Sequence, residues 1–257
     1  MTSMPLITII TITYNAEEFL ERTLNSIRRQ TSRDFEYILI DGGSQDGTMA
    51  MANSNADIFD KIVSERDKGL YDAMNKGLSH ATGEYVWFMN AGDELAEPNA
   101  IEKLHRIIEE ENPDIVYSDT LMVDNMGQEL GLRSDILPHK IPKVLKWDGY
   151  KMGMLVCHQS FIVRRKISPL YIENNLSADI DWEIKCLKLA QKVIQYPGIL
   201  AKYLEGGTSN QRLFKSWKDR FFVLQAHFGF FPNLWNHLKI VFRADVLNIF
   251  RISKYIK

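Results

Sequence analysis

Cysteine is almost missing from this chain, and no stretch of eighteen uninterrupted apolar residues occurs in it. Cys157 and Cys186 are the only two in 257 residues. They lie in apolar surroundings without repeating spacing, which excludes a disulfide framework and reads as two small buried hydrophobes in a reduced compartment. Without a long apolar run there is no candidate membrane-spanning helix. Residues 6–12 are too short and too rich in threonine for a secretory core, and no basic stretch precedes them. The chain also lacks a strong charge of either sign. Its net charge of -2 gives no overall field that would gather nucleic acid. There is no internal repeat, no low-complexity tract and no Gly-x-x-x-x-Gly-Lys-Ser/Thr loop, which sets aside solenoids and P-loop enzymes.

What is present is 45% hydrophobic residues in a length sufficient for one large core. Strand-like runs at 6–12, 35–40, 58–64 and 85–89 alternate with helical spacing at 16–29, around 49–53, and at 70–80. This alternation predicts an α/β fold, a Rossmann-like and mostly parallel sheet flanked by helices. Further on, a helix is expected at 100–110, strands at 114–118, 156–163 and 193–196, and a helix at 179–192. Residues 119–151 read as paired strands with a loop. In such sheets ligands bind beyond the carboxyl ends of the strands. Four polar loops stand at those ends, at 13–15, 41–46, 65–68 and 90–94, and are expected to converge on one crevice.

Each loop has its own chemistry. Thr13-Tyr14-Asn15 precedes a helix, where free N–H groups can hold a phosphate or a nucleotide edge, although such a triplet also serves as a plain cap. Asp41-Gly42-Gly43-Ser44 can turn tightly, and Asp41 can accept hydrogen bonds from a base or ribose. Asn90-Ala91-Gly92-Asp93 follows an apolar strand, and Asp93 is a candidate ligand for Mg²⁺ or Mn²⁺. The same acid also reads as a helix cap.

The runs Ile-Thr-Tyr-Asn, Ile-Asp-Gly-Gly-Ser-Gln-Asp-Gly-Thr, Ser64-Glu65-Arg66-Asp67-Lys68-Gly69-Leu70-Tyr71-Asp72-Ala73-Met74-Asn75-Lys76-Gly77, Gly83-Glu84-Tyr85 and Asn90-Ala91-Gly92-Asp93 together resemble family 2 glycosyltransferases of the GT-A fold. The resemblance is densest over the first hundred residues, and is nearest to the branch that builds bacterial capsule, exopolysaccharide and lipopolysaccharide O-antigen chains. It implies a hexosyl- or N-acetylhexosaminyltransferase. The donor would be a UDP-sugar, with a GDP-sugar second in line, and the acceptor a glycan or a lipid-linked sugar. It implies that Thr13, Tyr14, Asn15, Asp41, Ser44, Arg66, Lys68, Asp72, Asn90 and Gly92 line the nucleotide-sugar site and that Asp93 holds the metal. Two departures stand out. The first acid of the family's Asp-x-Asp motif is Asn90 here, and the second acid of its Asp-Asp-Gly-Ser loop is Gly42.

In the second half, Ser177-Ala178-Asp179-Ile180-Asp181-Trp182-Glu183 opens a helix and resembles the family's Glu-Asp-x-Asp segment. Inverting transfer needs a carboxylate to take the acceptor hydroxyl's proton. Asp179 is the first candidate for that base and Asp181 the alternative. His158, Gln159 and Trp182 are candidates for the acceptor side.

The domain reading is residues 1–210 for the catalytic domain, divided at 100 into donor and acceptor halves, and 211–257 for a basic, aromatic helical extension. From Arg212 onward nine Lys and Arg stand against two acids, a net +7, so the preceding residues carry -9. Such an extension suits peripheral contact with the inner face of the cytoplasmic membrane, or packing within the protein or a homo-oligomer. The expected location is cytoplasmic. Two other functions remain in view. A sugar nucleotidyltransferase would be expected to carry a Gly-rich basic loop after the first strand, which is absent from residues 13–18. A non-catalytic nucleotide-binding scaffold of a polysaccharide assembly complex would account for Asn90 and Gly42.

Overall fold

The structure is a computed structural model that describes residues 4–137, 139–206 and 213–240. The first strand, β1 (Ile7–Thr13), is buried along its whole length, as expected of a continuous β-branched run at the centre of a parallel sheet. It lies between β2 (Glu36–Asp41) and β4 (Tyr85–Phe88), and β3 (Lys61–Ser64) extends the sheet beyond β2, all four parallel. The helices α1 (Glu17–Arg28), α2 (Thr48–Ser54) and α3 (Leu70–His80) make the crossovers.

Beyond β4 the sheet becomes mixed. β8 (Phe161–Arg164) pairs antiparallel with β4 and with β6 (Ile115–Val123), and β6 pairs parallel with β9 (Val193–Leu204). β5 (Glu94–Leu95) and β7 (Glu129–Leu132) add antiparallel edges. Helix α4 (Ala100–Glu111) precedes β6, the short α5 (Arg133–Ile136) follows β7, and α6 (Ala178–Leu189) precedes β9. The extension contributes α7 (Leu213–Phe228) and a further helical stretch at 230–240. The remainder of the predicted extension, 241–257, lies outside the described residues, among which no helix is long and apolar enough to cross a membrane.

Two apolar layers cover the faces of the sheet, and β1 shows how the side chains divide. Ile10 and Ile12 pack with Ile38, Phe88, Trp182 and Leu224, whereas Ile7 and Ile9 pack with Leu20, Tyr37, Trp87 and Leu104. That is the period-two alternation of a strand with both faces covered. Helix α3 approaches β1 closely because Gly77 has no side chain: a Cβ there would lie 2.6 Å from Ile10 Cγ2.

Three expectations need adjustment. The run 156–163 is not one strand, because His158–Ser160 forms a 3-10 turn before β8 begins. The run 58–64 is strand only from Lys61, after a 3-10 turn at Ala56–Ile58. β9 is much longer than 193–196, since it stays paired with β6 past Pro197 and Gly198 through a register shift opposite residues 117–120.

Candidate active site

The four parallel strands end on one side, and Thr13, Asp41 and Ser64 stand next to one another there by register. Their loops are stitched together. Asn15, in the left-handed conformation at φ 48°, donates its N–H to Ser44 Oγ at 2.8 Å, and its Oδ1 accepts from Gln45 N at 2.9 Å. Asn15 and Ser44 therefore hold the loops in place, while Tyr14, next to Asn15 in the chain, is 64% exposed.

Asp41 is fully buried. Burial alone would raise its pKa, but hydrogen bonds from Ser44, Ser64 and Thr13 outweigh burial and hold the carboxyl below its usual range. Arg66 and Lys68 are exposed. Asp72, expected at the donor, lies in the first turn of α3, where its Oδ2 accepts from Lys68 N at 3.0 Å and pairs with Lys76 at 3.5 Å.

The third loop meets the first through Ala91 N, which donates to Ile12 O at 3.4 Å. Gly92, at φ 98°, donates its N–H to Thr23 Oγ1 at 2.9 Å. The turn aims Asp93 inward, where Leu204 N donates to Oδ1 at 2.9 Å and Gln159 Nε2 to Oδ2 at 2.7 Å. Burial pushes the Asp93 carboxyl up to about 7 against those two hydrogen bonds. Because β8 runs antiparallel to β4, the turn that precedes β8 arrives at the end of β4. His158 Nε2 there accepts from Asn90 Nδ2 at 3.2 Å, and burial pushes the imidazole down to about 4, so it is neutral. His158 and Gln159, expected on the acceptor side, stand beside the third loop. Both are buried and engaged with the third loop, and Gln159 is a direct partner of Asp93.

A hard cation fits this corner in a limited way. Asn90 Oδ1 is buried with no hydrogen-bond partner, three residues from the Asp93 carboxyl. No group of three or more His, Cys, Asp or Glu among the described residues could hold a metal. The oxygens present suit an ion such as Mg²⁺, which keeps most of its shell from phosphate oxygens and water.

At the start of α6 the two candidate bases diverge. Asp181 faces the extension, accepting from His227 Nε2 at 2.8 Å and pairing with Lys185 at 2.7 Å. Those partners overcome its burial and hold its pKa low. Asp179 is half-buried; burial pushes it up to about 6, opposed by Ile180 N and by a hydrogen bond from the Tyr71 hydroxyl. Tyr203 lies within electrostatic reach of both Asp93 and Asp179. Tyr71 and Tyr203 were not singled out from the sequence. Tyr71 stood in a quoted motif, but only the fold brings it against Asp179 and Tyr171.

Trp182 is the third residue expected on the acceptor side. It is completely buried, stacks on Tyr171 at 4.8 Å, meets Phe88 edge-on and donates Nε1–H to Pro169 O at 2.8 Å. It is a core residue and has no free face for a sugar.

This arrangement brings the polar loops after β1 and β2, the buried acid Asp93 and the partly buried Asp179 into one region at the end of the parallel strands. The sequence pattern of Glycosyl transferase family 2 matches residues 8–168. The chain belongs to that family. It is a family 2 glycosyltransferase that is 33% identical over 232 residues to the PGL/p-HBAD biosynthesis glycosyltransferase of Mycobacterium bovis, with 84% of each covered. Over a shorter stretch, 44% of this chain and 32% of the other, it is 38% identical to the cholesterol galactosyltransferase of Borreliella burgdorferi. Among solved structures it resembles S. aureus TarS 1-349 in complex with UDP-GlcNAc, at a TM-score of 0.70 and 19% identity. That match covers 84% of this chain and spans 64% of the length of TarS 1-349. It also resembles the mannosyltransferase PcManGT from Pyrobaculum calidifontis in complex with GDP-Man and Mn²⁺, at a TM-score of 0.61 and 16% identity, over 100% of this chain and 82% of the other. At these identities the two structures establish the GT-A-like fold alone.

Proposed function

We propose that this family 2 enzyme is an inverting glycosyltransferase that moves a hexosyl or N-acetylhexosaminyl group from a UDP-sugar to a hydroxyl of a lipid-linked or glycan acceptor in bacterial surface glycoconjugate synthesis. The observation that carries the reading is that two carboxyls raised by burial, Asp93 and Asp179, both lie within electrostatic reach of Tyr203. Shifts of that kind gather where proton transfer and charge neutralisation occur. The named relatives act in glycolipid synthesis or on a sterol, which favours an acceptor with a lipid part. Capsule, exopolysaccharide or O-antigen chains remain the wider class to which such an acceptor belongs.

In this reading Tyr14 and the loops at 13–15 and 41–46 receive the nucleoside, and Arg66 and Lys68 approach the nucleotide or donor sugar. Asp93 and Asn90 would hold Mg²⁺ or Mn²⁺, which neutralises the departing diphosphate when bound. Gln159 fixes the Asp93 carboxyl. Ionised Asp179 takes the proton of the acceptor hydroxyl as that oxygen attacks the anomeric carbon, and Tyr71 holds the carboxyl in place. Asp179→Asn is expected to lower kcat about a hundredfold or more while leaving donor affinity near wild type. Turnover of Asp179→Asn within a few-fold of wild type in a steady-state assay would remove the base from the mechanism.

The extension supplies a route to a membrane-borne acceptor. Phe231, Leu234, Trp235 and Leu238, at helical spacing, are all exposed, and Lys239 lies over the Trp235 ring at 5.4 Å. An exposed aromatic stripe edged with bases suits the interface of an anionic bilayer, here the inner face of the cytoplasmic membrane. Burial of the same stripe against a second copy is the competing arrangement.

A further inference from the structure

The Asp41 carboxylate has no hydrogen-bonding capacity left for a ligand. Oδ1 accepts from Thr13 Oγ1 at 2.9 Å and Ser44 Oγ at 2.5 Å, and Oδ2 from Gly43 N and Ser44 N at 3.0 Å each and Ser64 Oγ at 2.8 Å. A carboxylate offers about four lone-pair positions, and five donors already occupy these two oxygens. Asp41 ties the ends of β1, β2 and β3 together, and a base arriving at this rim must find its acceptor elsewhere.

Gly42 marks where that acceptor is. Gly43, with φ 86°, needs to be glycine for its backbone. Gly42 is absent from the left-handed positions, so its backbone admits any L residue. A side chain there would have to displace the Asp67 carboxyl: a Cβ on Gly42 would lie 2.8 Å from Asp67 Cγ and collide with Asp67 Oδ2. The carboxylate of Asp67 therefore occupies the volume that a side chain at 42 would fill. One of its oxygens is structural, since Oδ1 accepts from Gly69 N at 2.9 Å; the other leans into the notch. Asp67 is only partly buried, and its loop follows Ser64, which is paired in register with Asp41.

We infer that Asp67, seated in the notch at Gly42, reads the donor's base by accepting a hydrogen bond from its ring N–H. This rests on the donor site proposed above and names the nucleotides it takes. Uracil N3 and guanine N1 carry a hydrogen. Cytosine N3 and adenine N1 present a lone pair instead, which would face the carboxylate unfavourably. The exposed ring of Tyr14, on the neighbouring loop, offers such a base a stacking surface.

Calorimetric titration of the full chain with UDP, GDP, CDP and ADP tests the assignment. Wild type is expected to bind UDP or GDP and to bind CDP and ADP much more weakly. Asp67→Asn should weaken the preferred nucleotide roughly ten- to a hundredfold, the range for a lost hydrogen bond to a charged group. It should also narrow the gap to CDP, because an amide can donate to cytosine N3. Gly42→Ala, which fills the notch without removing the acid, should weaken binding in the same direction, and Gly42→Asp combined with Asp67→Ala should recover the preference for UDP over CDP. Asp67→Asn with wild-type affinity and wild-type preference overturns the assignment of Asp67 alone. If that variant does not fold, Gly42→Ala decides, and unchanged binding there overturns it equally. A wild-type chain that binds none of the four overturns the donor reading itself.

Discussion

Asp179 and Asp181 stand two positions apart on one helix and meet opposite surroundings. Asp181 pairs with Lys185 and accepts a hydrogen bond from His227, and its depressed pKa makes these contacts a contribution to stability that is present above the ordinary aspartate range and lost as the pH falls through its lowered value. Asp179 is raised to about 6 by burial. It faces Tyr71 from α3, and Tyr171, Glu183 and Tyr203 feel its charge. As the base must be ionised, kcat is expected to fall as the pH drops through about 6. Tyr71 stabilises the ionised form, so in Tyr71→Phe the acid limb of the pH–kcat profile should move upward and activity should recover in more alkaline buffer. An unmoved limb would show that Tyr71 is only packing. The raised pKa also means that the folded state pays for an ionised Asp179 above pH 6. Asp179→Asn should therefore unfold no earlier than wild type in thermal melts at pH 8, separating lost turnover from lost structure.

At the scale of the element, α6 is held by aromatic packing. Trp182, Tyr171, Phe88 and Phe161 contact one another, and Asn75 grips the Tyr171 backbone from α3 at 2.7 and 3.0 Å. Trp182→Ala should cost about 3–5 kcal/mol by denaturant unfolding, whereas an acceptor platform would have lost affinity with stability intact. Gly77→Ala forces a methyl against Ile10 and is expected to cost about 1–3 kcal/mol, with the same measurement as its check. Elements with strong local patterns were legible in the sequence: β1, β2 and β4 as apolar runs, and α1, α3 and α4 by their spacing. The hairpin pairing of β6 with β7 fell within the stretch 119–151 read as paired strands, whereas β5 and the full length of β9 were not legible, because they depend on pairing with each other and with β6 across distant parts of the chain. The turn at His158–Ser160 was hidden for a similar reason. Its three residues look strand-compatible until Asn90 and Asp93 are brought beside them.

At the scale of the whole molecule, the convergence of the loops at 13–15, 41–46 and 90–94 follows from the order of strands, and that part of the site could be read before any coordinates. What could not be read was which polar groups are already satisfied by the protein: Asp41, Gln159 and His158 look available in a sequence and are engaged in the fold. The excess of bases after Arg212 and the exposed Phe231, Leu234, Trp235 and Leu238 predict that the chain sediments with anionic vesicles and much less with neutral ones, and that Phe231→Ser with Trp235→Ser lowers the bound fraction. A salt-insensitive dimer whose stripe is covered would give no vesicle binding at all. The central claim is that the loops at the end of the sheet hold a nucleotide-sugar beside Asp93 for transfer, and donor hydrolysis tests it without an acceptor. With Mn²⁺ or Mg²⁺ and a panel of UDP- and GDP-sugars, the account predicts slow release of the nucleoside diphosphate from at least one donor, abolished by chelation and reduced about a hundredfold in Asp93→Ala. Release that is indifferent to chelation and to Asp93→Ala, or no release from any donor, would contradict it.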